Sequence, residues 1–224
     1  MTGLHQLTVP EAFAGTIAAL LLLVQLALFR SVVLSELITL YAVQSLFVSA
    51  ICLDVGLAGG ELDLILLAAL TFVFKVIVLP IYMRGLVRGV STRVEIPSKV
   101  NVLLSLLIAA ALVGIGCLTA SQLPLKTGAF LPTADLATML SIVFIGFLVA
   151  ILRPNAFAQV IAFLTLENGV FFGAVTLAPG LPFVLGILIL FDVLVAVVVF
   201  AVLVRILVAL RSSAATTQLQ ELVG

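Results

Sequence analysis

Residues 62–83 read LDLILLAALTFVFKVIVLPIYM, an apolar run with Lys75 near its middle and Pro80 near its end. A helix needs about 20 apolar residues to cross the hydrocarbon core of a bilayer, and this run is long enough. Lipid leaves backbone polar groups no partners outside the segment, which favours a helix. The run therefore predicts a transmembrane helix that carries a buried charge.

The rest of the chain has the same character. Of its 224 residues, 64% are hydrophobic and 9% are charged, whereas an ordinary soluble domain carries about 25% charged residues. Ten basic and ten acidic residues cancel, which excludes nucleic-acid binding through bulk charge. The composition predicts an all-α integral membrane protein, a single membrane domain over 1–224 whose main solvent is the lipid bilayer.

Seven membrane spans are predicted, because the apolar runs are too long and too evenly apolar for barrel strands. The first residues carry no Lys or Arg ahead of the first run, so we expect that helix to be retained rather than cleaved as a signal peptide. The predicted spans are 12–29, 33–53, 62–83, 100–120, 135–152, 156–178 and 181–204.

The basic residues outside the spans are distributed unequally. With the N-terminus outside, eight of them lie at the cytoplasmic side and Lys126 alone lies outside. The positive-inside rule then predicts an N-out, C-in orientation with an odd number of crossings.

A shift of the sequence along itself by 123 residues suggests a duplicated three-helix repeat. A parallel duplication and a chance alignment of apolar helices both remain open, because literal identities are few. The predicted arrangement is a first repeat at 12–83, a linking helix at 100–120 and a second repeat at 135–211. The aligned pairs are Arg30 with Arg153, Glu36 with Gln159, Gln44 with Glu167 and, after a six-residue slip, Lys75 with Asp192.

Three charged residues lie near the middle of their predicted spans: Lys75, Glu167 and Asp192. Insertion scales assign about 2.5 to 3.5 kcal/mol to a charge at the bilayer centre, so each needs a partner or a function. An ion pair between Lys75 and Asp192 accounts for both residues, and so does a relay role. Pro80 supports a special role for Lys75. A proline removes the helix hydrogen bond to the carbonyl of Val76, which predicts a kink beside the lysine.

Glu167 precedes a Gly169 and Gly173 spacing that allows close approach of another helix. A desolvated carboxyl suits a group that takes up and releases protons near neutral pH. The alternative is a permanently protonated Glu167 that donates a hydrogen bond to a neighbouring helix. We predict the proton-handling role.

Other polar residues extend this pattern. Gln44 with Ser45 echoes Glu167 with Asn168 but lacks the charge. Glu36 lies two turns before Gln44 on the same helix face. It is either a surface acid, solvated or paired with Arg30, or an entry point for protons.

The remaining candidates predict structural roles. The small residues of the fourth span, Ala109 to Ala111 with Gly114 and Gly116, indicate helix packing. Cys52 and Cys117 are interpreted as inert core residues. With the single His5 they cannot supply an iron–sulfur, zinc or nickel site, so we expect no cofactor and no metal on this chain.

The second repeat, Arg153 to Arg211, resembles the three-helix K subunit of respiratory complex I and the C subunit of multisubunit cation/proton antiporters. The whole chain, with its Gln159-Val-Ile-Ala-Phe-Leu-Thr-Leu-Glu-Asn-Gly169 segment, more closely resembles the hydrogenase-4 component E family of complex-I-like group 4 nickel–iron hydrogenases. The resemblance places the two family acids at Glu167 and Asp192, and Arg153 matches the basic residue after the first helix. Glu167 falls about one turn later than in the K subunit, and Asp192 replaces the usual Glu.

The resemblance implies a non-catalytic subunit of an oxidoreductase complex in the cell inner membrane, with Glu167 and Asp192 on a proton path. The buried or aligned positions of Lys75, Gln44 and Glu36 add these residues to the predicted path, while a functional and a supporting role of the first repeat both remain open. The resemblance also implies large antiporter-like partners and a peripheral redox arm that would carry the nickel–iron and iron–sulfur centres. A stand-alone secondary transporter and a purely structural assembly subunit remain the alternatives.

Overall fold

A computed structural model describes residues 9–88, 102–123, 132–153 and 155–177, together with 202, 205 and 208. The chain divides into two compact units, Met1–Leu188 and Ile189–Gly224. In the second unit, the three described residues Val202, Arg205 and Val208 are helical. The described residues are 94% helical and include no strand, which confirms the all-α class.

The described part of the first unit contains eight helical segments in sequence. The third crossing is built from three segments in sequence, the middle one a π-helix that we label π1. The elements are α1 (Val9–Arg30), α2 (Leu34–Gly59), α3 (Leu62–Thr71), π1 (Phe72–Val78), α4 (Leu79–Arg88), α5 (Val102–Gln122), α6 (Pro132–Leu152) and α7 (Ala156–Leu177).

Within the described residues, six helices are long and apolar enough to cross a membrane. They correspond to the first six predicted spans, and the fold is that of a multi-pass membrane protein. The seventh predicted span, 181–204, lies outside the described residues apart from Val202. The six spans are Phe13–Arg30, Leu34–Gly59, Leu62–Gly85, Leu103–Gln122, Ala134–Leu152 and Phe157–Leu177.

The second span is longer than predicted. The predicted span ends at residue 53, but α2 continues through Gly59. Gly60 then ends the helix at a φ of 67°, in the left-handed region that favours glycine. A Cβ at Gly56 would lie 3.0 Å from Cβ of Leu64, so this glycine lets α3 return close beside α2.

The bundle is centred on α7, whose span is 78% buried, whereas that of α5 is 17% buried. Helix α7 packs against α2 on one side and α6 on the other, and α1 contacts both α2 and α6. The predicted close approach at Gly169 is confirmed, because a Cβ there would lie 2.7 Å from Cγ2 of Ile142 on α6. A Cβ at Gly173 would overlap Met139.

Helix α5 contacts α6 through part of the predicted small-residue cluster. Gly116 lies against α6, since a Cβ there would be 2.7 Å from Oγ of Ser141, and Ala109 is buried. Ala110 and Ala111 are exposed, and Gly114 has open space around it. The packing prediction thus holds for two of the five residues.

Candidate functional site

Lys75 is positioned by π1. Pro80 has no N–H to donate to the carbonyl of Val76, and the N–H of Leu79 bonds instead to the carbonyl of Phe74, five residues back. The irregularity predicted beside the lysine therefore takes the form of a π-helical segment, a feature that often marks functional sites. It presents Lys75 to the bundle interior, where the residue is 4% exposed.

The partner of Lys75 lies on α7, in the second predicted repeat. Its Nζ lies 3.0 Å from Oε1 of Glu167, and both side chains are buried. The same Nζ stands 5.6 Å from the ring centre of Phe171, one turn further along α7. The sequence-based expectation had paired Lys75 with Asp192, which lies outside the described residues. The structure instead supplies Glu167 as a counter-charge.

The ion pair lies at mid-depth. Lys75 and Glu167 are each ten residues from the nearer end of their spans, Leu62–Gly85 and Phe157–Leu177. Ten helical residues correspond to about 15 Å, half of a hydrocarbon core roughly 30 Å thick. Gln44 is also ten residues from the start of its span, so all three polar groups share one level.

A chain of amide side chains continues from the ion pair across the bundle. Lys75 Nζ donates to Oδ1 of Asn168 at 3.5 Å. The Nδ2 group of Asn168 donates to Oγ of Ser45 at 2.9 Å and approaches Oε1 of Gln44 at 3.4 Å. Gln44 Nε2 donates in turn to Oε1 of Gln25 at 2.8 Å. The connected groups thus run across the bundle, from π1 through α7 and α2 to α1.

The predicted site residues do not all gather there. Lys75, Glu167 and Gln44 come together, and Asp192 lies outside the described residues. Glu36 is exposed and accepts a hydrogen bond from Oγ of Ser31 at 2.8 Å. It forms no ion pair with Arg30 in the described part of the chain, and its exposed position is compatible with both a surface acid and an entry point for protons.

Gln25 was missed by the sequence analysis. It is fully buried, and the signal was a lone amide inside the apolar run 20–28. Asp135 was also missed, because an acid in the first turn of a helix normally lies in water. It is fully buried beside Thr176, whose hydroxyl donates to the carbonyl of Phe172 at 2.9 Å.

Arg153 joins the two predicted repeats at a second place, away from the ion pair. Its Nη2 group donates to the carbonyls of Phe29 at 2.9 Å and Ser31 at 2.7 Å. These carbonyls lie at the C-terminal end of α1, where the last turn has no intrahelical donors. Burial lowers the pKa of Arg153, but a guanidinium remains charged at neutral pH. The residue therefore acts as a cationic cap for α1.

The two cysteines have different environments. Cys52 is buried and donates to the carbonyl of Leu64 at 3.3 Å, as expected of a core residue. The same expectation is wrong for Cys117, which is exposed on α5. Among the described residues, no three His, Cys, Asp or Glu side chains are grouped as metal ligands would be.

No protein-family model, no curated protein and no solved structure matches this chain. The site defines the class of protein only broadly: a multi-pass membrane protein with a buried ion pair at mid-membrane.

Proposed function

We propose that the chain is a non-catalytic membrane subunit of a complex-I-like group 4 hydrogenase or a related redox-driven ion pump. In this role it contributes ionisable residues to a lateral proton-translocation path in the cell inner membrane. Its partners would be large antiporter-like subunits and a peripheral redox arm, which would hold the nickel–iron and iron–sulfur centres. The proposal has two supports, the sequence resemblance to the hydrogenase-4 component E family and the geometry around Lys75.

The main observation in support is the ion pair at mid-depth, in which Nζ of Lys75 lies 3.0 Å from Oε1 of Glu167. A buried ion pair contributes little net stability compared with apolar residues of similar volume. Ionisable residues inside a membrane typically face a bundle interior and mark proton relays or ion pathways. A proton that arrives on Glu167 would remove the charge that holds Lys75, and its departure would restore the pair.

The direction of the polar chain favours a lateral path. Lys75, Glu167 and Gln44 lie at one depth on three different helices rather than along one helix axis. The intervening amides do not titrate near neutral pH, so they orient the neighbouring groups and leave proton binding to Glu167 and Lys75. Such an arrangement suits a subunit that passes charge changes to neighbours within the membrane plane.

The test removes the titrating groups while the buried site stays neutral. We expect the double variant Glu167→Gln with Lys75→Gln to assemble with its partners and to keep a measurable redox reaction. Proton translocation per turnover should fall, or turnover itself where the two are tightly coupled. Glu167→Asp should retain part of the activity, because it keeps the acid but shortens the side chain by one methylene.

Glu61→Gln serves as the matched control, because it makes the same chemical change at the start of α3 in a side chain that forms no cap hydrogen bond. It should pump like the wild type. A double variant that assembles and translocates protons at the wild-type ratio would show that the pair is structural, as an assembly subunit requires.

A stand-alone secondary transporter is the second candidate. One observation favours it: the ion pair joins the two predicted repeats, and transporters built from repeats bind substrate near mid-membrane between them. Reconstitution separates the candidates. Transport by the purified chain alone supports the transporter, whereas co-purification with large hydrophobic subunits and a redox arm supports the proton-path subunit.

A further inference from the structure

A cleft of about 940 Å³ opens where three spans meet at one membrane boundary. The span Phe13–Arg30 ends there, Leu34–Gly59 begins there, and Leu62–Gly85 ends one residue after Arg84. The cleft is separate from the mid-membrane ion pair. Its walls come from the end of α1, from the first turns of α2 and from Arg84 on α4.

Two arginines give the cleft a positive charge. Arg30 and Arg84 both line it and are exposed. The Nη2 group of Arg84 donates to Oγ1 of Thr39 at 3.1 Å, which holds this guanidinium against the wall. The acid in the lining, Glu36, is bound by Oγ of Ser31 at 2.8 Å. The described charges in the lining therefore sum to a net positive value.

The start of α2 adds hydrogen-bond donors to the same wall. The carbonyl of Val33 accepts the N–H groups of Glu36 and Leu37, and the N–H groups of Leu34 and Ser35 precede the first bonded turn. Helix α2 is 26 residues long, and its positive N-terminal end favours an anion. The guanidinium groups, the helix end and the hydroxyl of Ser35 together suit the oxygens of a phosphate.

The position of the cleft makes a lipid headgroup one source of the phosphate. The three span ends place the cleft at the level of the lipid headgroups, and Ala27, Val32 and Leu40 provide an apolar part of its lining. Basic pockets between membrane helices are known to bind anionic headgroups. We propose that this cleft binds a phosphate group, that of an anionic phospholipid or a soluble phosphate. The proposal does not depend on the proton path.

The test uses the full chain, purified in a neutral detergent with every subunit that remains bound. Phosphatidylglycerol or phosphatidylcholine is added, and retained lipid is counted by native mass spectrometry. We expect the protein to retain more phosphatidylglycerol than phosphatidylcholine. Arg30→Gln and Arg84→Gln should each lower the ratio of the two bound lipids about fivefold, since each basic contact near a membrane contributes about 1 kcal/mol. Glu36→Gln should strengthen the preference.

Arg205→Gln is the control, because it removes one exposed positive charge from the other compact unit, and it should retain the wild-type preference. A second arm adds inorganic phosphate. If phosphatidylglycerol stays bound in 10 mM phosphate, the lipid is the source, whereas displacement that depends on Arg30 and Arg84 identifies a soluble phosphate. An unchanged lipid preference in both arginine variants, with no phosphate effect that depends on them, would overturn the proposal.

Discussion

The helix pairs α1–α2 and α6–α7 correspond closely when offset by 123 residues. Helix α1 starts at Val9 and α6 at Pro132, and many positions that are buried on α2 are buried on α7 at the same offset. Ser45 and Asn168, an aligned pair, contact each other directly. Such contacts between equivalent positions are a property of two-fold interfaces. Examples of the buried pairs are Leu37 and Val160, Ile38 and Ile161, and Val48 and Phe171.

The two pairs of helices differ where chemistry or close packing is needed. Gln44 is neutral and Glu167 is an acid, although both are buried. Arg30 is exposed, whereas Arg153 is buried as the cap of α1. The comparison teaches that similar helix surfaces can have different roles. Helix α7 holds the acid Glu167, and π1 in the first predicted repeat supplies the counter-charge, Lys75.

The largest effect is expected from breaking the ion pair. Lys75→Met or Glu167→Leu alone leaves an uncompensated buried charge and should destabilise the protein by about 3 to 5 kcal/mol. The double variant should recover most of this loss. Unfolding of the purified chain in a neutral detergent measures all three variants.

Two outcomes would contradict the pairing of Lys75 with Glu167. Rescue of Lys75→Met by Asp192→Leu, rather than by Glu167→Leu, would show that Lys75 has its essential partner elsewhere. Normal stability of both single variants would show that the pair contributes nothing.

The aligned arginines give the next largest contrast. Arg153→Gln removes the charged donor from the carbonyls at the end of α1 and should cost about 1.5 to 3 kcal/mol. Arg30→Gln changes an exposed side chain and should stay within about 0.5 kcal/mol of the wild type. Both are measured in lipid-free detergent, so that the cleft has no lipid ligand. Equal effects would mean that the cap is not important for stability.

A smaller contrast concerns helix packing. Gly169→Ala places a methyl group against Ile142 and should cost about 1 to 3 kcal/mol through overpacking. The aligned position on α2 is Leu46, which is 40% exposed and needs no such approach. Gly114→Ala is the control, because a Cβ at this position would meet nothing within 4 Å. Its free energy of unfolding should equal that of the wild type or slightly exceed it. A neutral Gly169→Ala would show that α6 and α7 can separate freely.

The smallest effect is expected at the contact between the repeats. Ser45→Ala removes the hydroxyl that accepts from Asn168, and hydrogen bonds between membrane helices average about 0.6 kcal/mol. The exposed Ser121→Ala on α5 provides the comparison. A loss of several kcal/mol at Ser45 would indicate that the amide chain acts as one cooperative network.

Much of the fold could be predicted from the sequence, because lipid imposes length and hydropathy on each crossing. The first six spans agree with the helices to within a few residues, apart from the longer end of α2. That end was misjudged because glycine signals a loop locally, whereas Gly56 here serves close packing against α3. Cys117 was misjudged because an apolar sequence cannot distinguish a core face from a face exposed to lipid.

The sequence by itself also determined which residues needed an explanation, since a charge in an apolar run has a high transfer cost wherever the helix lies. Lys75, Glu167 and Asp192 were identified on that basis, and Gln44 was identified through its alignment with Glu167. Only the tertiary structure decided that Lys75 contacts Glu167 and that Gln25 completes the amide chain. Hydropathy acts along one helix, whereas partner choice depends on the rotation and contact of different helices, which local sequence does not encode.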